Sequence, residues 1–311
     1  MKRNIILFAV LILLLAALVV LVPSASLLPT SFDALLPWRL NGALAEGGFA
    51  PLPVDDSAGP KPDPASYLPD NAGYSDPSIT VTIETTREHG TDIMIARIRI
   101  VHPSQLRTSM AARYGSTALA PASSMAKRVN AVLAINGDYF SYSDQGYLVR
   151  NGKRFRKAVR RNLDMLVIDD RGDFHILTDG NPDEEADYTI IQSFNFGPAL
   201  VIDGELGTRL NVGGMGGEKP TQRMGFGQMG PLSYIAVATE GPENKGSRGL
   251  TVEEFAQFMF ELGCEQAYNL DGGSSSSLVL NNAKINALST GKIRSLADII
   301  YFATLIPGEV E

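Results

Sequence analysis

The sequence contains little cysteine and little histidine. Cys264 is the only cysteine among 311 residues, which excludes an intrachain disulfide framework. The three histidines, His89, His102 and His175, argue against a multi-histidine metal site. Any acid–base chemistry therefore falls to carboxylates.

Several familiar site motifs are also missing. The chain has no Walker-type phosphate loop, no Gly-x-Gly-x-x-Gly after a strand, no EF-hand spacing and no Gly-x-Ser-x-Gly elbow. The net charge of −7 and the pI of about 5.1 argue against nucleic acid as a partner, because nucleic-acid-binding domains carry a basic face. The hydrophobic content of 44% is ample for a packed core.

The N-terminus predicts export. Lys2 and Arg3 precede an apolar run of 18 residues from Ile5 to Val22, which is long enough to cross a bilayer as a helix. We expect residues 1–22 to form a transmembrane signal-anchor, with the rest of the chain outside the cytoplasm and the cytoplasmic membrane as a partner. A cleaved signal peptide, which would leave a secreted protein, is the alternative.

The remaining pattern predicts a Pro/Gly-rich tether and one domain. Residues 23–78 are rich in Pro, Gly, Ala and Asp with little periodicity, as in a linker. From residue 79 onward, alternating strands outnumber helices, and a capping box at Thr251 begins one amphipathic helix. We therefore expect an α+β fold over residues 79–307: a mixed, mainly antiparallel sheet with a few packed helices, forming a single catalytic domain.

The most informative segment runs from Asn269 to Ser277. An apolar run ends in Asp271, two glycines and four serines follow, and a second apolar run begins at Leu278. A carboxylate at a strand end beside glycines can face a small polar ligand. An exposed hairpin turn explains the same residues equally well when the segment is considered alone.

Four other segments place polar groups at strand ends. They are Asn136-Gly137-Asp138, the Gly197-Pro198 pair, the glycine-rich segment around Arg223, and Glu240. The forked donors of an arginine suit a phosphate, although a solvated loop arginine is the simpler interpretation of Arg223. The oxygen ligands in these loops leave room for a divalent cation such as calcium, whose ligands the sequence does not identify.

Taken in order along residues 79–305, these segments resemble the phosphodiester glycosidase family. Residues 134–140 resemble its Asn-Gly-Gly-Phe-Phe segment, residues 196–204 its Gly-Pro strand, and residues 223–227 its Pro-Arg-Thr-Ala-Ile-Gly segment. Residues 269–277 resemble its Asn-Leu-Asp-Gly-Gly-Gly-Ser-Ser segment. The chain departs from these patterns at Asp138, Gln222 and Ser274, and it has Glu240 where the family often has aspartate.

The resemblance implies hydrolysis of a sugar-1-phosphodiester bond in a cell-envelope or exopolysaccharide glycan. It implies that Asp271 is the base, nucleophile or electrostatic stabiliser and that Arg223 holds the phosphate. The predicted catalytic residues are Asp271, Asp138, Arg223 and Glu240. The predicted substrate-binding residues are Asn136, Gly137, Gly197, Asn269, Gly272, Gly273, Ser274 and Arg294.

Two other functions fit the same residues. A module that binds an envelope glycan without cleaving it would use the same cleft. A serine hydrolase would use Ser274 as its nucleophile, although no histidine lies near it in the sequence.

Overall fold

The computed structural model describes residues 49–142, 144, 146–159, 162–210, 217–242, 244, 246–287 and 291–308. Three α-helices occur in these ranges: α1 (Ala122–Arg128), α2 (Pro182–Glu185) and α3 (Val252–Glu261). The strands are β1 (Tyr67–Leu68), β2 (Gly73–Asp76), β3 (Ile79–Glu88), β4 (Thr91–Ile100), β5 (Leu106–Met110), β6 (Ala120–Pro121), β7 (Leu133–Asn136), β8 (Leu148–Arg150), β9 (Lys153–Arg156), β10 (Asp164–Asp169), β11 (Phe174–Thr178), β12 (Ile190–Phe194), β13 (Ala199–Ile202), β14 (Glu205–Leu206), β15 (Met224–Gly230), β16 (Ser233–Thr239), β17 (Gln266–Leu270), β18 (Leu278–Leu280), β19 (Ala283–Lys284), β20 (Ser295–Leu296) and β21 (Asp298–Phe302).

Three sheets of three or more strands organise the fold. The largest has nine strands in the order β1-β2-β3-β4-β16-β15-β17-β13-β14, a second has five in the order β19-β18-β7-β21-β5, and a third has the order β11-β10-β12. Every named pair is antiparallel. The α+β prediction with a mainly antiparallel sheet is confirmed, and parallel pairs do not occur among the described strands.

The main core lies among the three sheets. Side chains such as Phe226 from the nine-stranded sheet, Phe302 from the five-stranded sheet and Phe194 from the three-stranded sheet are buried together. Helix α3 covers the opposite face of the nine-stranded sheet, where Phe255 packs with Ile235. Helix α1 covers the outer face of the five-stranded sheet. Burying both faces of two sheets supplies the apolar area that stabilises the fold.

The amphipathic helix forms where the sequence predicts it. The Thr251 hydroxyl accepts a hydrogen bond from the Glu254 backbone N–H, and the Glu254 carboxylate accepts one from the Thr251 N–H. This reciprocal capping box satisfies two of the donors that a helix start leaves free. Phe255 and Met259 are buried on the inner face, as the spacing predicts.

The fold begins earlier in the chain than residue 79. Strands β1 and β2 extend the nine-stranded sheet next to β3, and Tyr74 is fully buried. The guanidinium of Arg107 donates to the carbonyls of Pro53 (2.7 Å) and Asp55 (2.9 Å). The described part of the predicted tether, residues 49–78, is therefore packed on the domain. Residues 23–48 lie outside the described residues.

The prediction of a membrane partner needs correction. Across the ranges that the structure describes, no helix combines the length and the apolar character needed to cross a bilayer. This finding overturns the prediction of a cytoplasmic membrane bound through an N-terminal helix. Residues 1–22, on which that prediction was made, lie outside the described residues.

Candidate active site

The candidate site lies at the connection between the nine-stranded sheet and the five-stranded sheet. Strand β17 ends at Leu270, residues 271–277 form a loop, and β18 begins at Leu278. Within the loop, Gly273–Ser275 form one turn of 3₁₀-helix. Asp271 therefore sits at a strand end and at the junction of two sheets, so groups from both sheets can meet there.

The two loop glycines are required by close backbone packing. A Cβ on Gly272 would lie 2.4 Å from the carbonyl oxygen of Gln222. Gly273 has a φ of +54° and donates its N–H to the same carbonyl at 2.8 Å. The glycines thus let the loop lie against the segment that leads into β15. Their role in ligand approach stays a prediction.

Asn136, at the end of β7, holds both ends of this loop. Its Nδ2 donates to the backbone carbonyl of Asp271 at 2.8 Å, and its Oδ1 accepts from the N–H of Ser277 at 3.0 Å. The side chain is only 1% exposed. Asn136 therefore fixes the loop geometry through both its amide nitrogen and its amide oxygen. These two hydrogen bonds also satisfy the polar atoms of a buried side chain.

A second clamp acts on the far end of the loop. Lys284 on β19 donates its Nζ to the carbonyl of Ser276 and, at 3.4 Å, to the Ser277 hydroxyl. Asn286 donates to the same carbonyl of Ser276 at 3.2 Å and accepts from the N–H of Leu278 at 2.7 Å. Burial lowers the pKa of the Lys284 amine to about 8. The loop is thus held by an ammonium and two buried amides.

Asp271 carries the most informative electrostatics in the loop. Its side chain is half-buried, and burial raises the pKa of its carboxyl. The Ser275 hydroxyl and the positive charge of Arg294 oppose this rise, and the charge of Asp138 adds to it. Exposed Arg294 also donates to the Ser274 hydroxyl at 3.2 Å. The structure therefore brings Asp271, Ser274 and Arg294 together.

Asp138 belongs to a buried charge network beneath the loop. The Arg150 guanidinium binds Asp138 at 2.9 Å and Asp298 at 2.8 Å, and these three side chains are between 0% and 2% exposed. Asp138 also accepts the backbone N–H of Asn195 at 2.9 Å and of Phe140 at 3.1 Å. Both carboxylate oxygens of Asp138 thus have hydrogen-bond partners within the protein. This arrangement is typical of a structural charge network.

Asp298 is the unusual member of this network. Burial raises the pKa of its carboxyl, the positive charge of Arg150 opposes the rise, and the negative charge of Asp138 adds to it. Its Oδ1 is buried and has no hydrogen-bond partner among the described residues. Two carboxylates beside a single guanidinium leave one excess negative charge in a buried site, which is the physical reason that the pKa of Asp298 is raised.

Gly137 leaves room for this carboxyl group. A Cβ at position 137 would lie 2.2 Å from the Oδ1 of Asp298. The Gly137 N–H also donates to the Asp298 backbone carbonyl at 3.1 Å. The predicted Asn136-Gly137-Asp138 segment is therefore brought to the site, with Asn136 on the loop, Gly137 on Asp298 and Asp138 on Arg150.

Gly197 and Asn269 meet on the other side of the loop. Asn269 donates its Nδ2 to the carbonyl of Gly197 at 2.8 Å and its backbone N–H to that of Pro198 at 3.0 Å. The Gly197–Pro198 peptide bond is cis. The Asn269 Oδ1 is buried without a hydrogen-bond partner in the described ranges. The neighbouring Phe196 ring packs edge-on against Tyr139 at 5.6 Å between centroids.

Two predicted residues have partners outside this cluster. The Arg223 guanidinium donates to the carbonyls of Leu250 (3.0 Å), Lys219 (2.9 Å) and Gly217 (3.2 Å), and burial lowers its pKa to about 10. Glu240 accepts from the Ser247 hydroxyl at 3.1 Å. In the described structure, the donors of Arg223 thus hold backbone, and Glu240 lies in a separate hydrogen-bond group.

No group of three or more histidine, cysteine, aspartate or glutamate side chains is placed to hold a metal ion in the described ranges. The divalent cation stays a prediction. Sequence reasoning missed Arg150, Asp298 and Lys284 as members of the site. A carboxylate at the start of the apolar run Asp298–Phe302 was the available signal for one of them.

Comparison with known protein families identifies one family. The model of the phosphodiester glycosidase family matches residues 129–303, which is more than half of the chain. The catalytic domain of zebrafish N-acetylglucosamine-1-phosphodiester alpha-N-acetylglucosaminidase, auto-inhibited by its pro-peptide, has a similar fold. It aligns with a TM-score of 0.59 and 16% identity over 76% of this chain and 86% of that chain.

Two further relatives carry less information. A hypothetical protein from Synechocystis aligns with a TM-score of 0.49 and 16% identity over 72% of this chain and 62% of that chain. The SPbeta prophage-derived uncharacterized protein YomE of Bacillus subtilis (strain 168) is 27% identical over 196 residues, which are 60% of this chain and 30% of YomE. The match thus spans under a third of the length of that curated relative. From its matched residues and its fold, the chain belongs to the phosphodiester glycosidase family.

Proposed function

We propose that this protein hydrolyses the bond between the anomeric carbon of a sugar and a phosphodiester oxygen. The observation that carries the proposal is Asp271, a carboxyl group at the junction of two sheets whose pKa is raised by burial. A carboxyl group that departs from its ordinary pKa beside a cation is typical of catalytic sites. Family membership and the fold it shares with the zebrafish enzyme support the same reaction.

The proposed reaction needs a carboxyl group and a cation. Water adds to the anomeric carbon as the bond from that carbon to the phosphate oxygen breaks. The products are the free sugar and a phosphomonoester, and the proton that water loses passes to the departing phosphomonoester or to solvent. The transition state carries positive charge at the anomeric carbon, which the Asp271 carboxylate stabilises. Phosphate is a good leaving group, so a positive charge near its oxygens contributes more than a strong acid.

Arg294 is the better candidate for the phosphate-binding cation. Its charge acts on Asp271, and its side chain is exposed and contacts Ser274. Arg223 was the residue proposed from the sequence, but its guanidinium already donates to three backbone carbonyls. An arginine with free donors can bind two phosphate oxygens at once. We therefore assign phosphate binding to Arg294. We assign to Arg223 the positioning of the backbone at residues 217–219 and 250.

The test is an assay of the full chain on N-acetylglucosamine-1-phosphodiesters with release of the phosphomonoester as the readout. We expect Asp271→Asn to lower kcat by about 10²- to 10⁴-fold, the usual contribution of a positioned carboxyl group. Asp203→Asn, in the exposed turn between β13 and β14, is the matched control and should leave kcat unchanged. Full activity of Asp271→Asn would refute the assignment, and tight binding without turnover would favour a glycan-binding module.

We also propose that the domain works outside the cytoplasm on a cell-envelope or exopolysaccharide glycan. Lys2, Arg3 and the apolar run Ile5 to Val22 support export, and a single cysteine suits a protein that folds without disulfides. Fractionation of cells that produce the full chain should find the domain in the medium as a secreted protein. Recovery in the cytoplasmic fraction alone would contradict export.

A further inference from the structure

One charged segment is not explained by the reaction at Asp271. Residues 150–161 contain seven cationic side chains and no acidic one, in a chain whose net charge is −7. The seven are Arg150, Lys153, Arg154, Arg156, Lys157, Arg160 and Arg161. Such a local excess of one sign in a protein of the opposite sign creates a field of its own. Such a field suits an anionic partner.

The structure separates these cations into groups. Arg150 is buried in the charge network, and Arg154 is paired with Asp183 at 2.7 Å. Lys153 and Lys157 are exposed on and just after β9. Arg160 and Arg161 lie outside the described residues. Arg154 is exposed but paired, so Lys153 and Lys157 are the exposed cations of this segment that have no ion pair among the described residues. We call strands β8 and β9 with these two lysines the cationic hairpin.

The cationic hairpin is fastened to the candidate active site. Arg156 on β9 donates its Nη1 to the carbonyl of Phe140 at 3.1 Å. The Phe140 N–H donates to Asp138, whose other contacts include Arg150 on the paired strand β8. Because Asn136 in the same segment binds the Asp271 carbonyl, the hairpin and the site share one rigid support. The hairpin is therefore connected to the candidate site through residues 136–140.

Two exposed aromatic side chains lie on segments that contact the hairpin. Tyr142 is 53% exposed and stacks on Tyr139 at 5.1 Å, and Tyr114 is 40% exposed and packs against Phe155 at 5.0 Å. Lys153 lies over the Phe155 ring at 5.2 Å. Exposed rings offer flat apolar faces to the C–H faces of sugars, while the lysines offer charge to phosphates. The combination suits a ligand that alternates sugar and phosphate.

We propose that the cationic hairpin binds phosphate groups of a repeating sugar–phosphate polymer at positions away from the bond that is cleaved. The inference rests on the proposed function, because it names the polymeric class of the substrate for the same site. Nucleic acid is the competing polyanion. The negative charge of the whole chain disfavours it, since a duplex needs a broad basic face.

The test measures binding and needs no turnover. Fluorescence anisotropy of labelled poly(glycerol phosphate), neutral dextran and single-stranded oligothymidylate of matched length would be recorded over a range of salt concentrations. The variant Lys153→Ser/Lys157→Ser removes the two exposed lysines of the cationic hairpin. The matched control Lys61→Ser/Lys127→Ser removes two exposed lysines elsewhere in the chain. The wild type, these two variants and Asp271→Asn are all measured as full chains. Binding by Asp271→Asn tests whether recognition is independent of catalysis.

We expect the wild type to bind poly(glycerol phosphate) and to ignore dextran. Each lost phosphate contact lowers the salt slope by about 0.7, so the hairpin variant should lose about 1.4 from the slope of log affinity against log salt. The control variant should keep the wild-type slope. An unchanged slope in the hairpin variant overturns the inference. Equal binding of oligothymidylate through the same lysines also overturns it, in favour of a general polyanion surface.

A kinetic arm separates this inference from the proposed reaction. On a polymeric sugar phosphodiester, the hairpin variant should raise KM and leave kcat unchanged, and on a single glycosyl phosphodiester both constants should stay as in the wild type. If neither substrate is turned over by the wild type, the proposed reaction fails. The binding result then still decides whether the cationic hairpin recognises a sugar–phosphate polymer.

Discussion

Replacing Lys284 with methionine should make protein stability respond to pH in a way that the structure specifies. Lys284 donates to the Ser276 carbonyl and the Ser277 hydroxyl under the Asp271 loop, and its partial burial lowers the pKa of its amine. Methionine keeps most of the apolar stem and removes the charge. The difference in free energy of unfolding between wild type and variant therefore isolates the titration of one amine.

The magnitude follows from the two pKa values. A fall from 10.5 in the unfolded chain to about 8 in the folded protein disfavours the ammonium form by about 3.4 kcal/mol. Between these pH values the unfolded chain binds more protons than the folded one, so stability rises with pH. From pH 7 to pH 10 the wild type should gain about 2.5 kcal/mol relative to Lys284→Met, with the gain beginning near the folded pKa of about 8.

Urea unfolding followed by circular dichroism at several pH values would measure this difference. Lys127→Met, at an exposed lysine on α1, is the matched control for the loss of a lysine charge. A difference between wild type and Lys284→Met that is flat from pH 7 to pH 10 would refute the reasoning. A difference that falls with pH would mean that the amine is stabilised in its charged form by the loop.

Three other substitutions test the support of the site. Gly137→Ala should destabilise the fold by about 1–3 kcal/mol in urea unfolding, because its methyl group would overlap the fixed Asp298 carboxyl; unchanged stability would mean that this carboxyl can move. Asp138→Asn should lower the pKa of Asp298 in carboxyl NMR titration, since a negative neighbour is removed, and should weaken folding by about 3 kcal/mol. A raised pKa would contradict this network. Arg223→Lys should cost about 1–3 kcal/mol in thermal unfolding, because one ammonium cannot reach three carbonyls, and a variant as stable as wild type would count against that role.

Some of the fold could be predicted because local patterns agree with the final packing. In β4, the alternating isoleucines are buried, Ile93 and Ile95 on the α3 side of the sheet and Ile98 and Ile100 in the main core, and the strand pairs with β3. In α3, the capping box and the apolar spacing both come from residues close in sequence. These signals act over a few residues, so they do not depend on the rest of the chain.

Strand β15 could not be predicted in the same way. Its sequence, with glycines at 225 and 227, is typical of a loop. In the structure it lies in the middle of the nine-stranded sheet, and a Cβ on Gly225 would come within 2.7 Å of the Phe255 ring on α3. The glycine is needed because a distant helix packs there. Tertiary packing therefore overrides the local preference.

The candidate site divides along the same line. Asn136 ends the apolar strand β7 and Asp271 follows the apolar strand β17, and both positions were readable from the sequence. The Arg150–Asp298 bond joins residues 148 positions apart, and no local pattern signals such a pair. The direction of the Arg223 side chain likewise depends on carbonyls supplied by Leu250 and residues 217–219.

The place of β21 in the five-stranded sheet has a consequence for how the chain is made. This strand lies between β7 and β5, yet its residues are synthesised after those of every other named strand. Until Asp298 to Phe302 have left the ribosome, β7 and β5 have no common neighbour and Arg150 has only one of its two carboxylate partners. A nascent chain can therefore complete the five-stranded sheet only after residues 298–302 have been synthesised, although the strands of the nine-stranded sheet precede them in the sequence.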